Sequence, residues 1–340
     1  MLDTQKNLKT DDACIDFGDF VPAPCGSAIP APSNNMFITK KAKVWVDEAS
    51  KRPFPNSLWN NLWYKGEIGC LFADTNVGKS ILAVQICNEI AKDEKVLYMD
   101  FELCDIQFTH RYSDDETGET FAFPENLYRV EFNPEAFIDD NNIAGVLDSI
   151  EMEAEKIGAK IIVIDNMTWL TSKSESGDTA AQLMSRLVQM KKRGGYSILV
   201  LAHTPKRNTN APINQNSLAG SKRIANFMDS IFALGTSKKD RPSSRYIKQI
   251  KARSTEILYG EDNVIEGKIV KDGCYLHFEQ TGFGTEAENL EEPNAQDIIR
   301  DECDEEIARR LKLRQTYKII EREMGVNPRV IARVSRALKS

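Results

Sequence analysis

One octapeptide limits this chain more than anything else: Ala73-Asp74-Thr75-Asn76-Val77-Gly78-Lys79-Ser80, set between the apolar run IGCLFA (68–73) and the helical-period segment SILAVQICNEIA. A strand that turns tightly at a glycine and enters a helix leaves several backbone N–H groups curled around one point. The positive end of the helix dipole is aimed at the same point. Lys79 adds a charge and Ser80 a hydroxyl, which completes what a polyphosphate and its divalent metal require. The expected cradle is therefore Ala73, Asp74, Thr75, Asn76, Val77, Gly78, Lys79, Ser80 and Ile81, and the implied ligands are ATP and Mg²⁺. Ala73 stands where this pattern usually has glycine, a position that needs only a small residue. An ordinary strand-to-helix turn needs no Gly, Lys and hydroxyl at these spacings.

The surrounding pattern agrees. Short apolar, β-branched runs at 68–73, 95–101, 161–165, 197–203, 230–234 and 246–252 alternate with amphipathic helical segments beginning near Ser80, Ile138 and Asp178. This alternation predicts an α/β fold with a mainly parallel sheet covered on both faces. IIVID closes on Asp165 at the carboxyl end of a strand, where α/β proteins place ligands, so Ser80 and Asp165 are the candidate metal holders. Asn166 follows, where an acid would have served as catalytic base. A base must then come from elsewhere, and Glu102, at the end of VLYMDFE, is preferred to the competing Asp100. His203 ends SILVLAH and is read as a γ-phosphate sensor, against the plainer role of a hydrogen-bonded core histidine. The loop behind it is long and polar, with Lys206, Arg207, Lys222 and Arg223 as candidate contacts to a polyanion.

Charge divides the rest of the chain. The net charge of −7 excludes an overall attraction to nucleic acid, so such binding has to be local. Residues 1–55 read as a disordered or extended arm, rich in proline up to Pro32, followed by SLWNNLWYKG, whose Trp59 and Trp63 are expected one helical turn apart and packed on the next domain. The main domain is placed at 56–285. Residues 286–306 hold ten acids against Arg300 alone, which reads as a charged mobile linker. Residues 307–340 reverse the sign: two helical-period segments meet at Gly325-Val326-Asn327-Pro328, the outline of a helix-turn-helix. Its second helix carries Arg329, Arg333 and Arg336, suited to duplex phosphates or base edges; a helical hairpin with a solvated basic face is the plainer alternative. The seven cysteines form no C-x-x-C pair and there are three histidines, which argues against a zinc site or a disulfide framework. With no apolar membrane span or signal core, the expected location is the cytoplasm.

Taken together, ADTNVGKS, the glutamate of MDFE, IIVID without a following glutamate, VLAHTPK, the GS of LAGSKR and KQIKARS resemble the RecA-like P-loop ATPases, and within them the RepA-type and DnaB-type hexameric helicases, over about residues 56–285. The resemblance implies a RecA-like core, a homo-oligomer such as a hexamer, and a Lys251/Arg253 pair that reaches the nucleotide site of the adjacent subunit. It also implies that loops within 204–223 bind single-stranded DNA. From the residues alone, Lys251 and Arg253 could equally be the solvated face of an edge strand, and the family's primase-binding N-terminal domain is absent. The leading expectation is an ATP-dependent DNA motor of plasmid or mobile-element replication. The alternatives are a nucleotide-switched DNA-binding regulator or loader, and, less favoured, a small-molecule kinase.

Overall fold

The computed structural model describes residues 37–133, 143–167, 177–204, 210–218, 225–292 and 295–338. The chain divides into two compact units, Met1–Phe54 and Pro55–Ser340. The described part of the first is not extended throughout: it holds helix α1 (Ala42–Ala49), no side chain of which is buried. The proline-rich stretch read as disordered lies outside the described residues.

The second unit opens with a small hairpin, β1 (Ser57–Trp59) and β2 (Trp63–Tyr64), which pairs Trp59 with Trp63 across the strands. The expected helical turn is thus corrected. Asn60 and Asn61 take left-handed backbone angles, φ 41 and 57, the conformation that closes tight hairpins, so the asparagines and not the tryptophan spacing decide the local structure. Both tryptophans are buried; Trp59 Nε1 donates to Glu89 Oε2 at 2.9 Å.

The main sheet has nine strands in the order β11-β10-β9-β8-β3-β7-β6-β4-β5. β3 (Ile68–Ala73), β4 (Val96–Asp100), β5 (Leu127–Glu131), β6 (Ile161–Asp165), β7 (Ser197–His203) and β8 (Ser230–Thr236) run parallel. β9 (Ser244–Ala252), β10 (Val264–Asp272) and β11 (Tyr275–Gly284) extend it antiparallel from β8. Each of the six runs expected as strands is one. β5, β10 and β11 escape a reading by apolar runs because they are only partly buried and carry charges, as in LYRVE and VIEGKIVKD.

Every residue of β3 is buried, as a strand covered on both faces must be. Cys70 and Phe72 face a core with Leu147 and Ile150 of helix α4 (Ile143–Ile157) and Leu183 and Leu187 of helix α5 (Gly177–Gln189). Leu71 and Ala73 face the other core, with Leu82 and Ile86 of helix α2 (Lys79–Ile90), the Trp59/Trp63 hairpin and Phe278 of β11. β3 therefore feeds α2 over a short loop at the centre of the sheet.

The acidic stretch is not a linker over most of its length. Glu286 begins the short helix α6 (Glu286–Asn289), is 2% exposed, and pairs with the buried Lys248 of β9. Most of the rest forms helix α7 (Ala295–Lys312). Two of its acids are partnered: Glu306 accepts from Arg309 and Arg310, each at 2.7 Å, and these bonds hold its carboxyl down at about 2; Asp304 accepts from Arg333 at 2.6 Å. Helices α8 (Tyr317–Met324) and α9 (Pro328–Ala337) follow, joined at Gly325 in the left-handed conformation and Asn327, whose side chain caps α9 by accepting from the Arg329 amide. Ile307, Ile320, Ile331 and Val334 form a small core of their own, so the C-terminal unit has three helices, α7 supplying the first. No helix among the described residues is long and apolar enough to cross a membrane.

Candidate nucleotide site

The strand order explains how residues far apart in sequence meet. Along the carboxyl edge of the sheet, β3, β7, β6 and β4 lie side by side. They present in a row the loop after Ala73, then His203, then Asp165 with Asn166, then the turn that holds Glu102. Ala73 is level with His203, and Asp100 with Asp165.

Gly78 caps α2 at φ 107, an angle that strains any residue with a side chain. The first helical bond runs from Leu82 N–H to Gly78 O at 3.0 Å, and no side chain caps the helix, so the preceding amides are left for a ligand. These amides, with Asp74, Thr75, Asn76, Lys79, Ser80, Ile81, Glu102, Arg111 and His203, line a cavity of about 370 Å³. Ala73 and Val77 of the expected cradle lie behind this lining and are buried.

Lys79 and Asp165 form a buried ion pair, Nζ to Oδ1 at 3.1 Å. The second carboxylate oxygen of Asp165 accepts from Tyr98 Oη at 2.8 Å. Burial first, and then the charge of Asp165, push the Tyr98 phenol far up, which keeps its proton in place as a donor. Asp165 is thus a carboxylate fixed by two donors, one of them Lys79 of the loop, while Ser80 lines the cavity. Among the described residues no cluster of three His, Cys, Asp or Glu side chains is able to hold a metal. A hydroxyl and one carboxylate beside a phosphate cradle is instead the sparse set that suits magnesium, which keeps waters and takes phosphate oxygens as further ligands.

Asn166 answers its apparent departure from an acid. Its amide donates to Glu102 Oε1 and lies 3.1 Å from His203 Nε2, while His203 Nε2 is 3.1 Å from Glu102 Oε1. Glu102, Asn166 and His203 therefore form one polar cluster facing the loop. Asp100, the competing base, is turned away: it is 2% exposed, accepts from Arg129 Nε at 3.0 Å, and accepts from the amides of Glu102 and Leu103 at 3.1 and 2.9 Å. It shapes the turn that presents Glu102. Thr204, after His203, donates through its hydroxyl to Asp74 Oδ1, linking the loop to the start of the basic segment.

Lys251 and Arg253 do not join this cluster. Lys251 pairs with Ile231, at the opening of β8, whereas the site lies beyond Leu234, the level of Ala73. Lys251 Nζ donates to Ala225 O at 2.7 Å, and burial first, then Arg253, lower its pKa. Arg253 bonds the Asn226 carbonyl and lies 3.4 Å from Asp229. Lys206, Arg207, Lys222 and Arg223 lie outside the described residues. Arg329, Arg333 and Arg336 are exposed on α9, with Arg333 engaged by Asp304.

Tyr98, Thr204, Arg111 and Arg245 are absent from the sequence-based set. Nothing local marks them; only Tyr98, inside an apolar strand that ends at the site, carried a signal that could have been followed.

Residues 38–209 match the model of the AAA domain family, a span that includes the loop, Glu102, Asp165, Asn166 and His203. Among solved structures, the chain is similar to a KaiC-like protein from the hyperthermophilic archaeon Pyrococcus horikoshii, with 16% identity and a TM-score of 0.48 over 67% of this chain and 98% of that one. No curated protein matches.

Proposed function

We propose that this chain, which belongs to the AAA domain family, hydrolyses Mg²⁺-bound ATP to drive a DNA-binding motor of the RepA-like helicase type. Its family and its RecA-like P-loop fold are those of nucleotide-hydrolysing proteins. The observation that carries the reading is the convergence of Lys79, Ser80, Glu102 and His203 on one cavity at a helix N-terminus, with the buried Asp165 bonded to Lys79 behind that lining. In this reading Lys79 leaves Asp165 for the phosphate oxygens, and the free amides from Asn76 to Ile81 take the remaining negative charge. Ser80 and Asp165 hold magnesium, which when bound neutralises the phosphate oxygens. Glu102, oriented by Asn166, accepts the proton of the attacking water, and His203 and Thr204 carry the state of the site into the basic segment 204–223. That segment would contact single-stranded DNA. Lys251 and Arg253, remote from their own cavity, would serve the site of an adjacent subunit in a homo-oligomer such as a hexamer. Replication or mobilisation of a plasmid or mobile element is the setting in which we place this activity, in the cytoplasm.

A second reading, a nucleotide-switched regulator or loader, is favoured by the capped helix α9, with Arg329 and Arg336 exposed on it. One experiment separates the two. Turnover should be stimulated by single-stranded DNA, lost in Lys79→Ala and in Glu102→Gln, and retained after removal of residues 291–340, which keeps Glu286 and helix α6. Glu102→Gln should still bind ATP, since the Glu102 carboxylate bonds Asn166 and His203 rather than a residue of the cradle. Hydrolysis in Glu102→Gln at the unaltered rate would remove Glu102 as the base; stimulation by duplex alone, lost on truncation, would favour the regulator.

A further inference from the structure

Arg245 is not among the residues that line the cavity, yet its guanidinium is tied to the phosphate loop. It stands on β9 opposite Thr236, beyond the level at which β3 ends. Nε donates to the carbonyl of Val77 at 2.6 Å, and Nη1 donates to the carbonyls of Pro242 and Ser244 at 2.6 and 2.9 Å. The fork therefore bridges the turn between β8 and β9 to the elbow of the loop.

The orientation of that bond matters. In a planar trans peptide the carbonyl and the following N–H point in opposite directions. Holding the Val77 carbonyl toward Arg245 turns the Gly78 N–H the other way, toward the concave side of the loop. The same elbow is backed by β10: a Cβ placed on Gly78 would lie 3.1 Å from Ile269 Cδ1, and the Ile269 amide donates to Ser243 O at 3.0 Å. Arg245 and Ile269 thus hold the elbow from outside, and both are attached to one turn.

Arg245 also differs from its neighbours in what it lacks. All its hydrogen-bond partners are neutral carbonyls, and it forms no ion pair among the described residues, whereas nearby Arg241 pairs with Glu291 and Lys239 with Glu266. Burial first, and then Arg241, lower its pKa from the ordinary arginine value, and arginine stays charged under any such shift. An uncompensated cation behind the elbow attracts an anion in front of it.

We propose that Arg245 is a positioning residue for the phosphate cradle, fixing the Val77–Gly78 peptide and so setting affinity for the phosphates that ATP and ADP share. The proposal rests on the nucleotide reading above.

The test uses the full chain. Mg²⁺-ATP and Mg²⁺-ADP are titrated calorimetrically into wild type, Arg245→Met and Arg245→Lys, well below each melting transition, and KM and kcat are measured alongside. Arg245→Met should weaken ATP and ADP alike, roughly tenfold or more, and raise KM by a similar factor with a smaller change in kcat. Arg245→Lys should recover only part of the loss, because one ammonium on a flexible stem does not bridge Val77 and the turn as the planar fork does. A purely structural strut would lower the melting temperature and leave both dissociation constants alone. Wild-type affinity in Arg245→Met overturns the proposal, as does full recovery in Arg245→Lys, which would make charge alone responsible. Should Arg245→Met not fold, Arg245→Lys decides: reduced affinity at an unchanged melting temperature supports the proposal, and unchanged affinity overturns it. Failure of wild type to bind either nucleotide would overturn the nucleotide reading itself, and that titration is read before any variant is compared.

Discussion

At the scale of single residues, the site joins buried polar groups, Lys79, Asp165 and Asn166, to the more open Glu102 and His203. Of the buried groups Asp165 is held most plainly, since Lys79 and Tyr98 satisfy one oxygen each. Removing the phenol hydroxyl leaves a buried carboxylate oxygen without its donor. Tyr98→Phe should therefore destabilise the protein by about 1–3 kcal/mol in urea unfolding, while Mg²⁺-ATP recovers part of the loss by binding only the folded state. An unchanged midpoint would show that Asp165 does not depend on Tyr98. Asn166 carries a different lesson. Read along the chain it is only the missing acid after Asp165; in space it is the donor that joins Glu102 to His203. Asp100 and Glu102, two residues apart and equally acidic, are separated by burial and by Arg129, which comes from the next strand and claims Asp100.

Among the elements, those written in contiguous residues were legible and those that depend on partners were not. β3, β6 and β7 are buried apolar runs, and the α8–α9 turn has its Gly325, Asn327 and Pro328 in order. Helix α7 defeated a reading by charge, because Glu306 and Asp304 are paired with arginines of α7 and α9, and the Asp304–Arg333 pair spans helix α8 and the turns on either side of it. The core joining these helices is small, with Ile307, Ile320, Ile331 and Val334 its buried members. Ile320→Ala, which removes one of the four, should cost about 2–5 kcal/mol within this unit. The expected result is loss of the amide-exchange protection of α7–α9, with ATP turnover in the rest of the chain unaffected. Protection unchanged from wild type would mean that the helices are held by something other than this core.

Across the whole molecule, the position of Lys251 and Arg253 is the main constraint on how the protein would work. They sit by the opening of β8, at the end of the parallel strands opposite their own cavity, and Arg253 is occupied with Asp229. If they serve a neighbour, Lys79→Ala and Arg253→Ala should each be inactive alone, and an equimolar mixture should regain activity at roughly a quarter of its interfaces, those that combine an intact Lys79 with an intact Arg253 across a head-to-tail contact. Light scattering with and without ATP and single-stranded DNA gives the assembly state. No recovery on mixing, in a sample shown to be oligomeric and to exchange subunits, would refute the trans role.

What the amino-acid order determined by itself was the phosphate loop, the buried parallel strands and the α8–α9 turn, because each is a property of neighbouring residues: a glycine at its bend, an apolar run, a cap. What only the tertiary structure decided was the company those parts keep. Strand order brought Glu102, Asn166 and His203 together, β9 and its turn placed Arg245 behind Val77, and burial converted Glu286 from a supposed linker acid into the partner of Lys248. Such pairings join groups tens to more than a hundred residues apart, so their energy depends on sheet register and burial, neither of which leaves a local mark in the chain.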